Sequence, residues 1–196
     1  MEIRKLRPQD DLGRAAEILF QADPYIMPDL LGDSKTARLV GGCLFSEDEE
    51  QLFCFERTLV AVQDGDIRGI LCYRTCVCHW DAQILHDEFV RKGCTSPAEF
   101  ERVNREYFDK IANTELPRES TECMFLAVDK DVRKKKVGSQ LLQFWLKTGF
   151  RGYLLDVLSE NAAAITLYSQ HGFITVCEHM AYPAENGYRC FNMRKG

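Results

Sequence analysis

MFLAVDKDVRKKKVGSQLL, residues 124–142, decides how this chain is read. An apolar run from Met124 to Val128 meets Arg133, Lys134, Lys135 and Lys136, and then Val137, Leu141 and Trp145 repeat at helical spacing around Gly138. The order predicts a buried strand feeding an anion-gripping loop that opens a helix. Backbone N–H groups at a helix start have no intrahelical partner and carry the positive end of the dipole, so an anion is favoured there and the cations add to the attraction. A polyphosphate fits such a site. The spacing is neither that of a P-loop, which needs Gly-Lys-Ser/Thr, nor that of the dinucleotide fingerprint. On charge alone a second reading stays open, an ordinary solvated helix entry.

Outward from this stretch, 196 residues with 45% hydrophobic content suit one domain, 1–196, with a core that needs no disulfide staples. A formal charge of −5 argues against general nucleic-acid binding, which makes the cations at 133–136 a local device in an acidic protein. The first residues alternate charged and apolar side chains without a leader-like apolar run, and nothing approaches a membrane span, so a cytoplasmic protein is expected, with neither nucleic acid nor membrane as partner. Nine cysteines scattered through apolar segments suit a reducing compartment. Cys72, Cys76, Cys78 and His79 form one cluster of metal-ligand residue types. Alternate strand residues lie about 7 Å apart and no Cys-x-x-Cys knuckle is present, so no metal is expected.

Along the chain, Glu2–Arg7 reads as a first strand closed by Pro8, and Leu12, Ala15, Ala16, Leu19 and Ala22 as a helix stopped at Asp23-Pro24. Helical patterns follow near Leu39–Leu44 and again after Glu47–Glu50. Thr58–Val62 and Ile67–Val77, separated by Asp64, Gly65 and Asp66, predict a hairpin. Residues 79–120 are too long for a structureless connection, so a helical insertion is expected there. Ser96, Pro97 and Glu99 form a capping signature ahead of Phe100, Val103, Tyr107 and Ile111, and a weaker helix is predicted over Ala82–Lys92. Tyr153–Leu158 reads as a strand, Ser159 or Asn161 as the cap of a helix ending at Gly172, and Phe173–Tyr182 with Tyr188–Met193 as a closing strand pair.

With these elements placed, the chain resembles the GCN5-related N-acetyltransferase (GNAT) family. Residues 122–142 look like its acyl-CoA-binding motif A, Arg/Gln-x-x-Gly-x-Gly/Ala after a strand, and LLDVLSENAAAITLYSQHGF at 154–173 looks like its motif B. Lys136 departs from the pattern, standing where the family has glycine. The resemblance implies an α/β fold with a mixed, mostly antiparallel sheet flanked by helices. It also implies acetyl-CoA as cosubstrate, with Leu126, Ala127 and Val128 along the pantetheine arm, Arg133, Lys134, Lys135, Lys136, Val137, Gly138 and Ser139 around the diphosphate, and Asn161 contacting the cofactor. By residue type Asn161 is equally an ordinary helix cap.

Acetyl transfer to an amine needs a neutral nucleophile and a proton for the departing thiolate. Tyr168 matches the family's proton donor, and Glu122 lines up with the carboxylate base of some members; a core tyrosine and a solvated strand-end acid are the alternatives. The implied activity is transfer of acetyl to a primary amine of a small molecule or peptide. A catalytically silent acyl-CoA sensor or protein-interaction module is the rival, favoured by Lys136. His79, Trp80, Asp81 and Tyr107 are candidates for an acceptor pocket or equally for the core of a helical cap. A homodimer is left open.

Overall fold

A computed structural model of the chain describes residues 1–78, 86–87, 89–90, 93, 95–110, 114–181 and 187–196. His79, Trp80, Asp81, Ile111 and most of the helix expected over Ala82–Lys92 lie outside these residues.

Strand β1 (Glu2–Lys5) ends before the residues that approach Pro8, two short of the expected Arg7. Helix α1 (Leu12–Leu19) is capped by the Asp11 carboxylate, which accepts from the Arg14 N–H at 2.9 Å, and it buries Ala15, Ala16, Ile18 and Leu19. Short α2 (Ile26–Leu31) leads to α3 (Ser34–Leu44), capped by Asp33 and Thr36 in a reciprocal box. Helices α1 and α3 touch so closely that a Cβ on Gly41 would lie 2.2 Å from the Leu12 carbonyl oxygen, which fixes glycine there.

The helical pattern expected after Glu50 does not form a helix beyond a single 3₁₀ turn at Phe55–Arg57. Asp48 turns its carboxylate onto the Glu50 N–H at 2.9 Å and Ser46 accepts from the Asp48 N–H at 3.0 Å, local bonds that compete with helical ones. The hairpin of β2 (Thr58–Gln63) and β3 (Asp66–Arg74) turns through Asp64 and Gly65, both at positive φ as a two-residue turn requires. β3 stops at Arg74, short of the expected Val77, because Thr75–Cys78 closes a turn held by the Cys78 N–H on the Thr75 carbonyl.

Helix α4 (Pro97–Val103) starts with the expected box: the Ser96 hydroxyl accepts from the Glu99 N–H, and the Glu99 carboxylate accepts from the Ser96 N–H. It runs into a π turn at Asn104–Phe108. Then come β4 (Ser120–Val128), α5 (Val137–Trp145), β5 (Gly152–Leu158), α6 (Ala162–Gln170), β6 (Ile174–Met180) and β7 (Arg189–Lys195).

The strands form one sheet in the order β1-β2-β3-β4-β5-β7-β6, antiparallel except where β4 meets β5. Alternation along the central strands sends side chains into two cores. Val60, Ile70, Cys72 and Phe125 pack under α1–α4, while Leu59, Leu71, Cys123 and Leu155 pack with Trp145 of α5 and Tyr168 of α6. Among the described residues no helix is long and apolar enough to cross a membrane.

Candidate active site

The site is positioned by the one parallel pairing. β4 and β5 are in register only from Ser120↔Gly152 to Cys123↔Leu155. Beyond that point β4 stays with β3 as far as Val128↔Gly69, and β5 stays with β7 as far as Leu158↔Cys190, so the two strands part in the middle of the sheet. One edge of β4 from Met124 to Val128 therefore has no strand partner among the described residues. The parting coincides with a bulge: Cys72 and Tyr73, consecutive on β3, face Phe125 and Cys123, leaving Met124 as the extra residue. Met124 and Phe125 consequently both pack toward the α1–α4 side, and Leu126 and Val128 toward α5 and α6.

At the far end of β4 the loop to α5 takes its shape from two lysines. Lys134 (φ 63°) and Lys136 (φ 64°, ψ 15°) both sit in the left-handed region. The glycine-type backbone that the family pattern places at position 136 is thus present here with a lysine in it. Gly138 itself has no positive φ, and a Cβ on it would meet Leu167 Cδ2 at 3.4 Å and Val128 Cγ2 at 3.5 Å, ordinary contacts between α5, β4 and α6. The first helical bond of α5 runs from the Gln140 N–H to the Lys136 carbonyl at 3.0 Å. Ahead of it the N–H groups of Lys136, Val137, Gly138 and Ser139 have no protein acceptor among the described residues.

The loop is anchored from behind by Asp129, 2% exposed, which caps the 3₁₀ turn Lys130–Val132. Its carboxylate accepts from Arg14 of α1, from Arg68 of β3 at 3.2 Å and from the Asp131 N–H at 3.2 Å. Burial pushes this carboxyl up, but the Asp131 N–H and the two guanidiniums outweigh it and hold it below the usual carboxylate range. Arg133 is also part of the anchor, donating from Nε to the Val128 carbonyl at 3.2 Å and from Nη2 to Gln21 Oε1 at 3.3 Å. Lys134, Lys135 and Lys136 are exposed and make no ion pair among the described residues. Ala127 and Val137 bury their side chains, which leaves only backbone groups to meet anything bound there. The Ser139 hydroxyl lies 2.9 Å from His171 Nε2.

Where the strands part, a cavity of about 710 Å³ is lined from both sides of the sheet, by Glu122, Met124, Leu126 and Asp156 and by Asn161 and Tyr168 of α6. Tyr168 is 6% exposed, and its hydroxyl makes no hydrogen bond among the described residues. Burial, with a smaller contribution from Cys123, raises the phenol far above its ordinary value, so the group holds its proton. Glu122 is paired across the strands with Arg74, whose Nε donates to Oε2 at 2.6 Å and whose Nη1 donates to the Thr114 carbonyl at 3.0 Å. Burial raises the Glu122 carboxyl; Arg74 opposes the rise and Asp156 adds to it. Asn161 Oδ1 caps α6 by accepting from the Ala164 N–H at 3.1 Å, so the cap role is realised while the residue also lines the cavity. Tyr107, in the π turn, also lines the cavity.

The sequence reading missed Arg74, Asp129 and a polar patch on β5–β7. In that patch Asp156 accepts from Asn192 Nδ2 at 2.9 Å and lies 3.0 Å from His179 Nε2. A signal existed for Asp156, which interrupts the otherwise apolar β5, whereas His179 and Asn192 sit on strands of mixed polarity; Arg74 and Asp129 need the β3–β4 register and the α1 contact to be seen.

Comparison with known proteins now decides the fold. Residues 102–175 match the model of an acetyltransferase (GNAT) domain. Across 100% of both chains the structure aligns with an N-acetyltransferase from Staphylococcus aureus at a TM-score of 0.66 and 14% identity. It aligns with a GNAT-family acetyltransferase from Streptococcus pneumoniae over 99% of this chain and 97% of that one (TM-score 0.59, 19% identity). A ribosomal-protein-alanine N-acetyltransferase from Brucella melitensis is covered to 99% by the whole of this chain (TM-score 0.58, 16% identity). The fold is that of the GNAT acetyltransferases. No curated protein matched the sequence. The matched segment runs from α4 into β6, and so contains the strand parting, the cationic loop, the start of α5 and Tyr168. In this GNAT fold α2, β3, β6 and β7 supply the cavity wall that comes from outside the segment, through Ile26, Arg74, His179 and Asn192 among others. Among the described residues no group of three or more His, Cys, Asp or Glu side chains is arranged to hold a metal.

Proposed function

We propose that the chain is an acetyl-CoA-dependent N-acetyltransferase acting on a primary amine of a small molecule or peptide. The observation that carries this reading is the coincidence, at one parting of β4 from β5, of an open strand edge, helix N–H groups without a protein acceptor and a buried Tyr168 hydroxyl without a hydrogen-bond partner, all among the described residues. The GNAT domain match and fold support acetyl transfer in general.

The residues fit the cosubstrate. The open edge of β4 offers backbone groups to an extended amide-bearing arm, as an added strand would. The N–H groups of Lys136–Ser139, without a protein acceptor among the described residues, and the exposed lysines suit a diphosphate. Bound there, acetyl-CoA supplies an activated acetyl thioester. Tyr168 then gives its phenolic proton to the departing sulfur, and Glu122, whose Oε1 has no donor among the described residues, takes the proton of the incoming ammonium. Arg74 holds that carboxylate in place. Lys136 adopts the left-handed backbone that glycine would adopt, so it preserves the loop's shape and weakens the case for a silent sensor. Since the Brucella neighbour is named for a protein-alanine substrate, peptide N-termini belong in the acceptor screen alongside polyamines, amino acids and aminoglycosides.

A thiol-release assay over that panel tests the activity. Amine-dependent thiol release is expected with at least one acceptor class, and cosubstrate binding without release for every amine would instead establish the silent sensor.

A further inference from the structure

Ser139 is the third residue of α5, and its hydroxyl is tied to the C-cap residue of α6. His171 Nε2 lies 2.9 Å from Ser139 Oγ, and His171 Nδ1 lies 2.9 Å from the Leu167 carbonyl oxygen. A carbonyl only accepts, so Nδ1 carries a hydrogen in every state of this arrangement. Two states remain. In the neutral ring Nε2 is a lone pair, and the Ser139 O–H must point at it. In the charged ring Nε2–H donates to Ser139 Oγ, and the serine hydrogen is released to point elsewhere.

The difference matters for an anion at the start of α5. A diphosphate oxygen is purely an acceptor, so a serine whose hydrogen is committed to histidine can offer it only lone pairs. We propose that His171 is a positioning residue of the diphosphate site: it takes up one proton from solvent at Nε2 when the diphosphate binds, and thereby turns the Ser139 O–H onto a phosphate oxygen. The inference rests on the acyl-CoA reading of the site.

The surroundings set the order of events. The loop cations Lys134, Lys135 and Lys136 precede Ser139, and Lys195 of β7 stands beside the neighbouring glycine, its Nζ 2.8 Å from where a Gly172 Cβ would sit. On its own helix His171 meets the carbonyl end of α6, which favours a cation. No carboxylate contacts the ring among the described residues. An arriving diphosphate brings negative charge to the start of α5, which favours a protonated ring over a neutral one. Imidazole titrates close enough to neutrality for such a change to move it.

The test is a calorimetric titration of the full chain with dephospho-CoA, which lacks the phosphate monoester that would itself titrate near neutrality, in buffers of different ionisation enthalpy. At pH 7.5 the wild type is expected to take up a measurable fraction of a proton on binding, with affinity falling as pH rises, by at most about tenfold per pH unit. His171→Gln, whose amide N–H donates to Ser139 at any pH, is expected to bind with no proton uptake and no such pH dependence. Binding with no uptake by the wild type, or equal uptake by His171→Gln, overturns the proposal. Failure of the wild type to bind dephospho-CoA and acetyl-CoA alike removes the acyl-CoA reading, and the inference with it. Imidazole ¹⁵N spectra of the wild type read the same event independently of the variant's folding: among four histidines one Nε2 is expected to change from lone-pair to N–H type on ligand addition, and no change contradicts the proposal.

Discussion

Lys136 occupies a backbone conformation that costs a side-chain-bearing residue about 1 kcal/mol. Lys136→Gly removes that strain but adds unfolded-state entropy, so a net stabilisation of about 0.5 kcal/mol is expected in a denaturant melt. Because the loop shape is unchanged, acetyl-CoA affinity should fall only by the loss of one exposed charge. Tyr168 and Glu122 carry the opposite expectation, an effect on turnover. Tyr168→Phe should lower kcat by about 10²-fold with little change in either KM, as removal of a general acid does. Glu122 is raised chiefly by burial, so the folded state holds its proton more tightly than the unfolded chain. Its contribution to stability is therefore present at low pH and lost as pH rises through the folded value. Activity that needs the carboxylate runs the other way. The acid limb of kcat/KM should lie above the ordinary glutamate value of about 4.3, and Glu122→Gln should abolish that limb.

At the scale of elements, the sequence was most legible where one segment decides its own structure. The alternation and capping signals found β4, α5, α6 and the start of α4 because burial of an apolar face and local caps fix those elements. The Lys136–Ser139 loop followed from its place between β4 and α5, whereas Tyr168 was singled out by the family resemblance and not by its place on a helix face. The helix expected after Glu50 failed because Ser46 and Asp48 satisfy neighbouring N–H groups locally. Asp129 was illegible because its meaning lies in two other elements: only the contact of α1 and β3 with the end of β4 brings Arg14 and Arg68 onto it. Asp129→Asn removes the carboxylate shared by Arg14 and Arg68 and leaves them only Glu17 and Asp66, and a loss of about 2 kcal/mol is expected. If the clamp also positions the loop, the KM for acetyl-CoA should rise while kcat stays within about twofold; an equal fall in kcat alone would assign Asp129 no role in cofactor binding. Being depressed in the folded state, Asp129 contributes stability above the unfolded value and loses it as pH falls through the folded one, a loss confined to strongly acid conditions.

Across the whole molecule, the sheet separates two kinds of work. Helices α1–α4 cover one face and α5 with α6 the other, and the parting of β4 from β5 is the place where a cavity is lined from both. Tyr25, stacked on Tyr188 with ring centroids 4.1 Å apart and donating to Glu160 at 3.0 Å, ties the N-terminal helices to β7 and to the entry of α6. A net charge of −5 with three exposed lysines in one loop makes that loop a local exception, so added salt should weaken acetyl-CoA binding by screening those cations. The most direct measurement is calorimetric titration of the wild-type chain with acetyl-CoA. Saturable binding of one molecule per chain is predicted, weakening with salt; no detectable binding at millimolar acetyl-CoA would contradict the assignment of the β4–β5 parting as an acyl-CoA site.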